Sequence, residues 1–137
     1  MKSTLPLLPL IALAAACTAD AGPRAEEASA RAQTRFAQLT EGRVAGPPQS
    51  CVSLRNLHGN ESAGEGAIIF RTSSRNLIYV NRPPAGCPEL DSGRSIKLRT
   101  PSTQLCRGDI IQVFDPVTSF SYGGCGLGDF QPYRRVR

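Results

Sequence analysis

The sequence predicts a mainly β protein, in which a signal peptide and a short helix precede a small disulfide-stabilised antiparallel barrel or two-layer sheet. Three observations support this prediction. Short apolar segments alternate with turn residues from Cys51 onward, as is typical of antiparallel strands. Cysteines are spread through the same region. A helical spacing of apolar residues occurs in one short stretch ahead of the predicted strands.

The N-terminus has the parts of a secretory signal, and residues 1–16 are the predicted signal peptide. Lys2 supplies a positive charge, residues 5–16 form an apolar run, and small residues follow. A membrane-spanning helix needs ~20 apolar residues, so this run is too short for a permanent span. We therefore expect export without a transmembrane helix.

The sequence allows two alternative sites for cleavage of the signal peptide. Residues 14–17 read Ala-Ala-Ala-Cys and resemble the lipobox of bacterial lipoproteins, which implies acylation of the Cys17 thiol. Residues 19–21 form an A-x-A site that would release a soluble periplasmic protein starting at Gly22. The odd cysteine count favours the lipoprotein, because acylation of Cys17 leaves an even number to pair. Thr18 replaces the Asp of inner-membrane retention, so we expect an outer-membrane lipoprotein facing the periplasm.

Residues 17–50 are the predicted lipidated tether, with a short helix and a Pro/Gly linker. Apolar residues recur every three or four positions over 25–41, after Pro23 and before Gly42. Most of them are alanine, so we expect Phe36 and Leu39 to dock the helix; a coiled coil would need more heptads. Residues 44–50 contain Gly-Pro-Pro, which continues neither helix nor sheet. The β domain is therefore predicted to span residues 51–137.

One strand pair is predicted most strongly. Residues 67–70 and 77–80 are apolar on both faces and flank a polar segment of hairpin length, so we expect an antiparallel pair at the centre of a sheet. Further predicted strands cover 51–57, 95–99 and 109–115, with a last strand within 126–133.

The later cysteines are predicted to be structural. None forms a Cys-x-x-Cys pair and their spacing fits no common zinc finger, so disulfides are favoured over a metal site. Each bridge would contribute roughly 2–4 kcal/mol. Sequence alone leaves the pairing open. Similar local surroundings favour Cys51 with Cys106, each at the start of a buried strand, and Cys87 with Cys125, both in Gly-rich loops.

No set of catalytic residues is recognisable, and we expect neither enzymatic activity nor a cofactor. The single histidine, His58, lies in a polar segment near Glu61 and Ser62, but no Gly-x-Ser-x-Gly elbow accompanies it. A solvated histidine is the simpler interpretation. A pocket that gathered His58 with acidic side chains would favour an enzyme instead.

The chain is basic, with Lys+Arg 16 against Asp+Glu 11. Most of the basic residues are arginines, whose guanidinium groups make bidentate contacts with phosphates and carboxylates. Because export separates the protein from nucleic acid, we expect an anionic envelope component or another envelope protein as partner. The candidate anion-binding residues are Arg134, Arg135 and Arg137. The strand at 95–99 would extend this patch if it lay beside the last strand; a solvated basic tail is the alternative.

Four strings resemble a known family. They are residues 43–51 (Arg-Val-Ala-Gly-x-Pro-x-x-Cys), 79–83 (Tyr-Val-Asn-Arg-Pro), 104–109 (Gln-Leu-Cys-x-Gly-Asp) and 127–133 (Leu-Gly-x-Phe-x-Pro-Tyr). They are similar to a domain family of unknown function, found in small exported proteins of alpha- and other proteobacteria, many of them lipoproteins. The resemblance spans most of the mature chain. It implies export and a single domain, and it carries no catalytic residue.

We therefore expect a non-enzymatic cell-envelope lipoprotein that serves as a binding or structural module. The alternative is an inhibitor of an envelope or foreign hydrolase, in which a rigid disulfide-held loop enters an active site. This alternative requires residues 82–92 or 118–128 to protrude from the domain.

Overall fold

A computed structural model describes residues 22–91 and 93–137. The predicted signal peptide and the predicted lipidation site Cys17 lie outside the described residues. The elements are α1 (Pro23–Thr40), β1 (Arg43–Ala45), β2 (Cys51–Ser53), a 3₁₀ turn (Leu54–Asn56), β3 (Leu57–Ser62), β4 (Ile68–Thr72), β5 (Leu77–Asn81), β6 (Ser95–Leu98), β7 (Gln104–Cys106), β8 (Ile110–Phe114), β9 (Ser121–Gly126) and β10 (Phe130–Arg135). Within the described residues, no helix is both long and apolar enough to cross a membrane.

The largest sheet has five antiparallel strands in the order β1-β10-β5-β4-β3. The predicted hairpin is confirmed as β4 and β5, with Ile69 opposite Val80 and Phe70 opposite Tyr79. This pair lies inside the sheet because its side chains are apolar on both faces, and both faces are covered by other elements.

Helix α1 packs on one face of this sheet. Phe36 and Leu39 contact the buried apolar side chains of that face, as the sequence predicted. Toward the N-terminal end of the helix, Ala32 lies so close to Gly64 that a Cβ at Gly64 would come within 2.7 Å of the Ala32 Cβ. The small residues of the helical stripe therefore allow a close approach of α1 to the sheet.

The opposite face carries the main core. There the five-stranded sheet packs against a three-stranded sheet, β6-β8-β9, and a two-stranded sheet, β2-β7. Phe70 and Phe130 are buried at this junction with ring centroids 5.7 Å apart. The two-layer alternative of the predicted fold is thus the one observed in the described residues.

Two disulfides join these layers and strands in the pairing favoured by the sequence. Cys51 and Cys106 lie directly opposite each other on β2 and β7 and are bonded. Cys87, in the segment after β5, is bonded to Cys125 of β9, and both are buried. The second bridge therefore ties the loop that leaves the large sheet to the three-stranded sheet.

The folded sheet begins earlier than Cys51, where the β domain was predicted to start. Residues 43–45, partly in the predicted linker, form β1 and pair with the edge of β10. Beyond them the backbone groups of Gln49 and Phe130 exchange two hydrogen bonds of 2.9 and 2.8 Å. In the Gly-Pro-Pro segment between these contacts, the Gly46 amide donates to the Pro132 carbonyl at 2.7 Å, and the two prolines have no amide hydrogen to pair. The predicted single strand at 51–57 is also divided, into β2, the 3₁₀ turn and the start of β3.

Candidate anion-binding site

Two arginines lie directly opposite each other at the edge of the large sheet. Arg43 of β1 and Arg135 of β10 are register partners, two positions beyond the partners Ala45 and Tyr133. Alternate residues of a strand share a face, so both arginines lie on the face of Tyr133, which packs against α1. Side chains of direct cross-strand partners have Cβ atoms about 4.5–5.5 Å apart. The strand register therefore holds two positive charges together.

A third arginine, Arg71 of β4, lies on the same face, and we call Arg43, Arg71 and Arg135 the arginine cluster. Arg71 forms an ion pair with Glu61 of β3, and Glu61 also binds the Arg35 guanidinium of α1 at 2.6 Å. The Glu61 carboxylate therefore forms ion pairs with two arginines. In the part of the chain that the structure describes, no carboxylate lies within salt-bridge distance of Arg43 or Arg135.

The Arg43 guanidinium is only partly satisfied. Its Nη2 donates to the carbonyl oxygen of Arg75 at 3.0 Å. Its Nη1 is buried and has no hydrogen-bond partner among the described residues. Burial lowers the pKa of Arg43 below its ordinary value, and the positive charges of Arg135 and Arg71 lower it further. An unpaired buried donor costs free energy, which an acceptor from outside the chain would recover.

The sequence prediction located one member of this cluster. Of the predicted residues Arg134, Arg135 and Arg137, Arg135 joins the cluster. Arg134 alternates to the other face of β10, where its register partner is Val44, and Arg137 follows the end of the strand. Because β1 brings Arg43 to β10 and β4 contributes Arg71, the patch is formed by strand pairing rather than by the C-terminal run.

The predicted extension of the patch by β6 is wrong. β6 pairs with β8 in the three-stranded sheet and not with β10. Arg94, just before β6, forms an ion pair with Glu89 and lies 3.8 Å from the ring centroid of Tyr122. Lys97 and its neighbouring arginines are therefore separate from the arginine cluster.

A groove runs along α1 on the same side of the sheet. Its larger part, a cavity of about 630 Å³, is lined by small residues of α1 and by Phe36, over which Arg82 lies at 4.5 Å. A smaller part of about 330 Å³ is bordered by Arg31, Arg35 and Asp91 among others. His58 lines neither part, and the described residues contain no group of three or more potential metal ligands.

The two loops considered in the inhibitor hypothesis differ in how much of each is buried. In the segment 82–92, Cys87 and Leu90 are buried, and the amide of Cys87 donates to the carbonyl of Glu65 at 2.7 Å. Most of the segment 118–128 is β9, but the turn between β8 and β9 projects. There Val117 is 90% exposed and Phe120 is 61% exposed.

No family model matches this chain, and no curated protein and no solved structure is similar to it. The family resemblance of the four sequence strings stays a prediction. Function must therefore be inferred from the geometry of the site and from the disulfides, which are typical of proteins exported to an oxidising compartment.

Proposed function

We propose that this protein is an exported, non-enzymatic binding module whose arginine cluster recognises an anionic component of the cell envelope. The observation that carries the proposal is the direct pairing of Arg43 with Arg135, neither of which forms a salt bridge among the described residues. Like charges placed opposite each other destabilise a sheet. An arrangement that costs stability is explained when a ligand of opposite charge binds there.

Electrostatics and donor chemistry support this proposal. Among the described residues Glu61 is the carboxylate that forms ion pairs with the cluster, and it is shared by Arg71 and Arg35, so Arg43 and Arg135 stay unpaired. Arginine provides a planar set of donors that matches carboxylates and phosphates, and it stays charged at any physiological pH. Lipid phosphates, lipopolysaccharide phosphates and peptidoglycan carboxylates are the anions that such a site would meet in a bacterial envelope.

Membrane anchoring through Cys17 is part of the proposal. Acylation of Cys17 would leave Cys51, Cys87, Cys106 and Cys125, which are the four cysteines joined in the two disulfides. Fractionation of cells that express Cys17→Ala tests this point. We expect the variant to leave the membrane fraction or to stay unprocessed. Recovery of soluble wild-type protein that begins at Gly22 would contradict the anchor.

The proposed function is tested by co-sedimentation with lipopolysaccharide, anionic vesicles and peptidoglycan sacculi at low salt. We expect the wild type to bind at least one of these probes and the double variant Arg43→Gln/Arg135→Gln to lose most of that binding. Arg134→Gln is the matched control, because it removes one charge from the same strand but from the opposite face. Equal binding by the wild type and the double variant would contradict the proposed function.

The exposed β8–β9 turn favours inhibition of a hydrolase as a second candidate function. Its backbone is held by the Asp115 carboxylate, which accepts hydrogen bonds from the amides of Val117 and Thr118 at 2.7 and 3.0 Å. A held turn that presents Val117 and Phe120 to solvent has the form that an inhibitory loop requires. Inhibition of lysozyme by the wild type, and its loss in Phe120→Ser, would support this function. Absence of inhibition at micromolar protein would exclude lysozyme as the target.

A further inference from the structure

We infer that the ligand of the arginine cluster carries a phosphomonoester group, which binds between Arg43 and Arg135 as a dianion. The inference rests on the proposed function and narrows its ligand from anions in general to one chemical class. Charge, donor number and local rigidity each support it.

The charge of the cluster matches a dianion. Arg71 has an ion-pair partner in Glu61, which it shares with Arg35, whereas Arg43 and Arg135 have no carboxylate partner among the residues that the structure describes. Two guanidinium groups therefore need two negative charges. A phosphomonoester carries about −1.5 to −2 at pH 7, whereas a phosphodiester or a single carboxylate carries about one.

The number of donors also favours a phosphomonoester. The Nη2 of Arg43 donates to the Arg75 carbonyl, and its Nη1 is buried without a partner among the described residues, so a small shift of this side chain would let a ligand accept from Nη1. The exposed Arg135 side chain makes no ion pair within the described chain, so its guanidinium is available to the same ligand. A phosphomonoester presents three acceptor oxygens and can accept from both groups at once. The two oxygens of one carboxylate are used by a single bidentate arginine.

The surrounding backbone reduces the cost of ordering these side chains. β1 and β10 fix the two Cα positions, and the Arg135 amide donates to the Asn76 carbonyl at 2.9 Å, which continues the contact of β10 beyond Leu77. The Arg75 carbonyl orients Arg43 from the turn between β4 and β5. A site whose donors are held before binding loses less conformational entropy when the ligand arrives.

Isothermal titration calorimetry at pH 7.5 and low salt tests this inference with three soluble probes. They are glycerol 1-phosphate as the phosphomonoester, dimethyl phosphate as the phosphodiester and succinate as the dicarboxylate. We expect glycerol 1-phosphate to bind about tenfold or more tightly than either of the others. Arg43→Lys keeps the charge but loses the planar set of guanidinium donors, and we expect it to weaken the binding of glycerol 1-phosphate by about tenfold.

Vesicles distinguish a lipid source of the phosphomonoester from a soluble one. Preference for vesicles of phosphatidic acid over phosphatidylglycerol, together with weak binding of glycerol 1-phosphate, would support a lipid headgroup. Tight binding of the soluble probe without vesicle binding would support a free ligand.

Two results would overturn the inference in different ways. If succinate or dimethyl phosphate binds at the cluster as tightly as glycerol 1-phosphate, the phosphomonoester is wrong and the anion-binding function stands. If the wild type binds none of the soluble probes or vesicles, the assignment of the arginine cluster as a binding site is wrong as well. The same holds if Arg43→Gln and Arg135→Gln, confirmed as folded by circular dichroism, bind as tightly as the wild type.

Discussion

Asn81 and Gly128 are joined by a reciprocal pair of buried hydrogen bonds. The Asn81 Nδ2 donates to the Gly128 carbonyl at 2.8 Å, and the Gly128 amide donates to the Asn81 Oδ1 at 2.9 Å. Asn81 is the fully buried polar residue at the end of β5, and Gly128 lies in the segment between β9 and β10. This pair fixes the end of β5 to the segment that leads into β10, next to the register partners Asn81 and Phe130.

We expect Asn81→Leu to lower the free energy of unfolding by at least about 2 kcal/mol, because both backbone groups of Gly128 would lose their partner inside the protein. Urea denaturation measures the difference. Asn60→Ala, at an exposed position of β3, is the control and should change the value by less than about 0.5 kcal/mol. Equal stability of Asn81→Leu and wild type would show that these hydrogen bonds do not contribute to the stability of the fold.

Arg135→Gln should stabilise the unliganded protein. The substitution removes one of two like charges that lie directly opposite each other, a contact that costs about 0.2–1 kcal/mol. The gain should shrink as salt rises, because the Debye length falls from ~10 Å at 0.1 M to ~3 Å at 1 M. Thermal unfolding in phosphate-free buffer measures the effect. Arg134→Gln, on the other face of β10, should give no comparable gain, and a destabilised Arg135→Gln would contradict the electrostatic account.

The two disulfides should differ in their resistance to reduction of the folded protein. Cys51 and Cys106 are partly exposed, whereas Cys87 and Cys125 are buried. Dithiothreitol followed by alkylation and mass spectrometry should therefore label Cys51 and Cys106 first. Full reduction should lower the melting temperature strongly, since each bridge contributes roughly 2–4 kcal/mol. Labelling of all four cysteines at one rate would contradict the difference in access.

The β8–β9 turn should respond to acid through Asp115. Hydrogen bonds from the amides of Thr118 and Val117 lower the pKa of the Asp115 carboxyl below its ordinary value of 3.8. The ionised carboxylate accepts these bonds, so the turn is held above the ordinary pKa and loosens as pH falls through the lowered value. Amide NMR signals of Val117 and Thr118 should titrate with a midpoint below 3.8. Asp115→Asn should abolish the titration, and a midpoint above 3.8 in the wild type would contradict the account.

The parts of the fold that the sequence predicted are those encoded by local apolar patterns. The β4–β5 hairpin follows from two apolar segments around a polar turn, and the docking of α1 follows from Phe36 and Leu39 at the end of an alanine stripe. The favoured pairing of the cysteines is confirmed, although Cys106 ends β7 rather than starting a strand and Cys125 lies in β9 rather than in a loop. In each case the structure depends on residues that are close together in sequence or, for the cysteines, on a side chain that can form a covalent bond.

The missed elements carry no apolar pattern of their own and depend on the strands with which they pair. β3 is largely polar and β9 is rich in glycine, so neither carries an apolar pattern, and each is formed by backbone pairing with a neighbouring strand. β1 has only three residues and pairs with β10 near the other end of the chain. The position of Arg43 opposite Arg135 follows from that distant register, which is why the C-terminal run alone was predicted to bind anions.

The most direct test of the arginine cluster is a site-resolved NMR titration of its side chains. Arginine Nε–Hε signals would be followed as glycerol 1-phosphate is added to the wild-type protein at low salt. We predict saturable shifts for Arg43 and Arg135 with a common dissociation constant, and no saturable shift for Arg134 on the opposite face. Unchanged signals for Arg43 and Arg135, or equal shifts for all three arginines, would contradict the account.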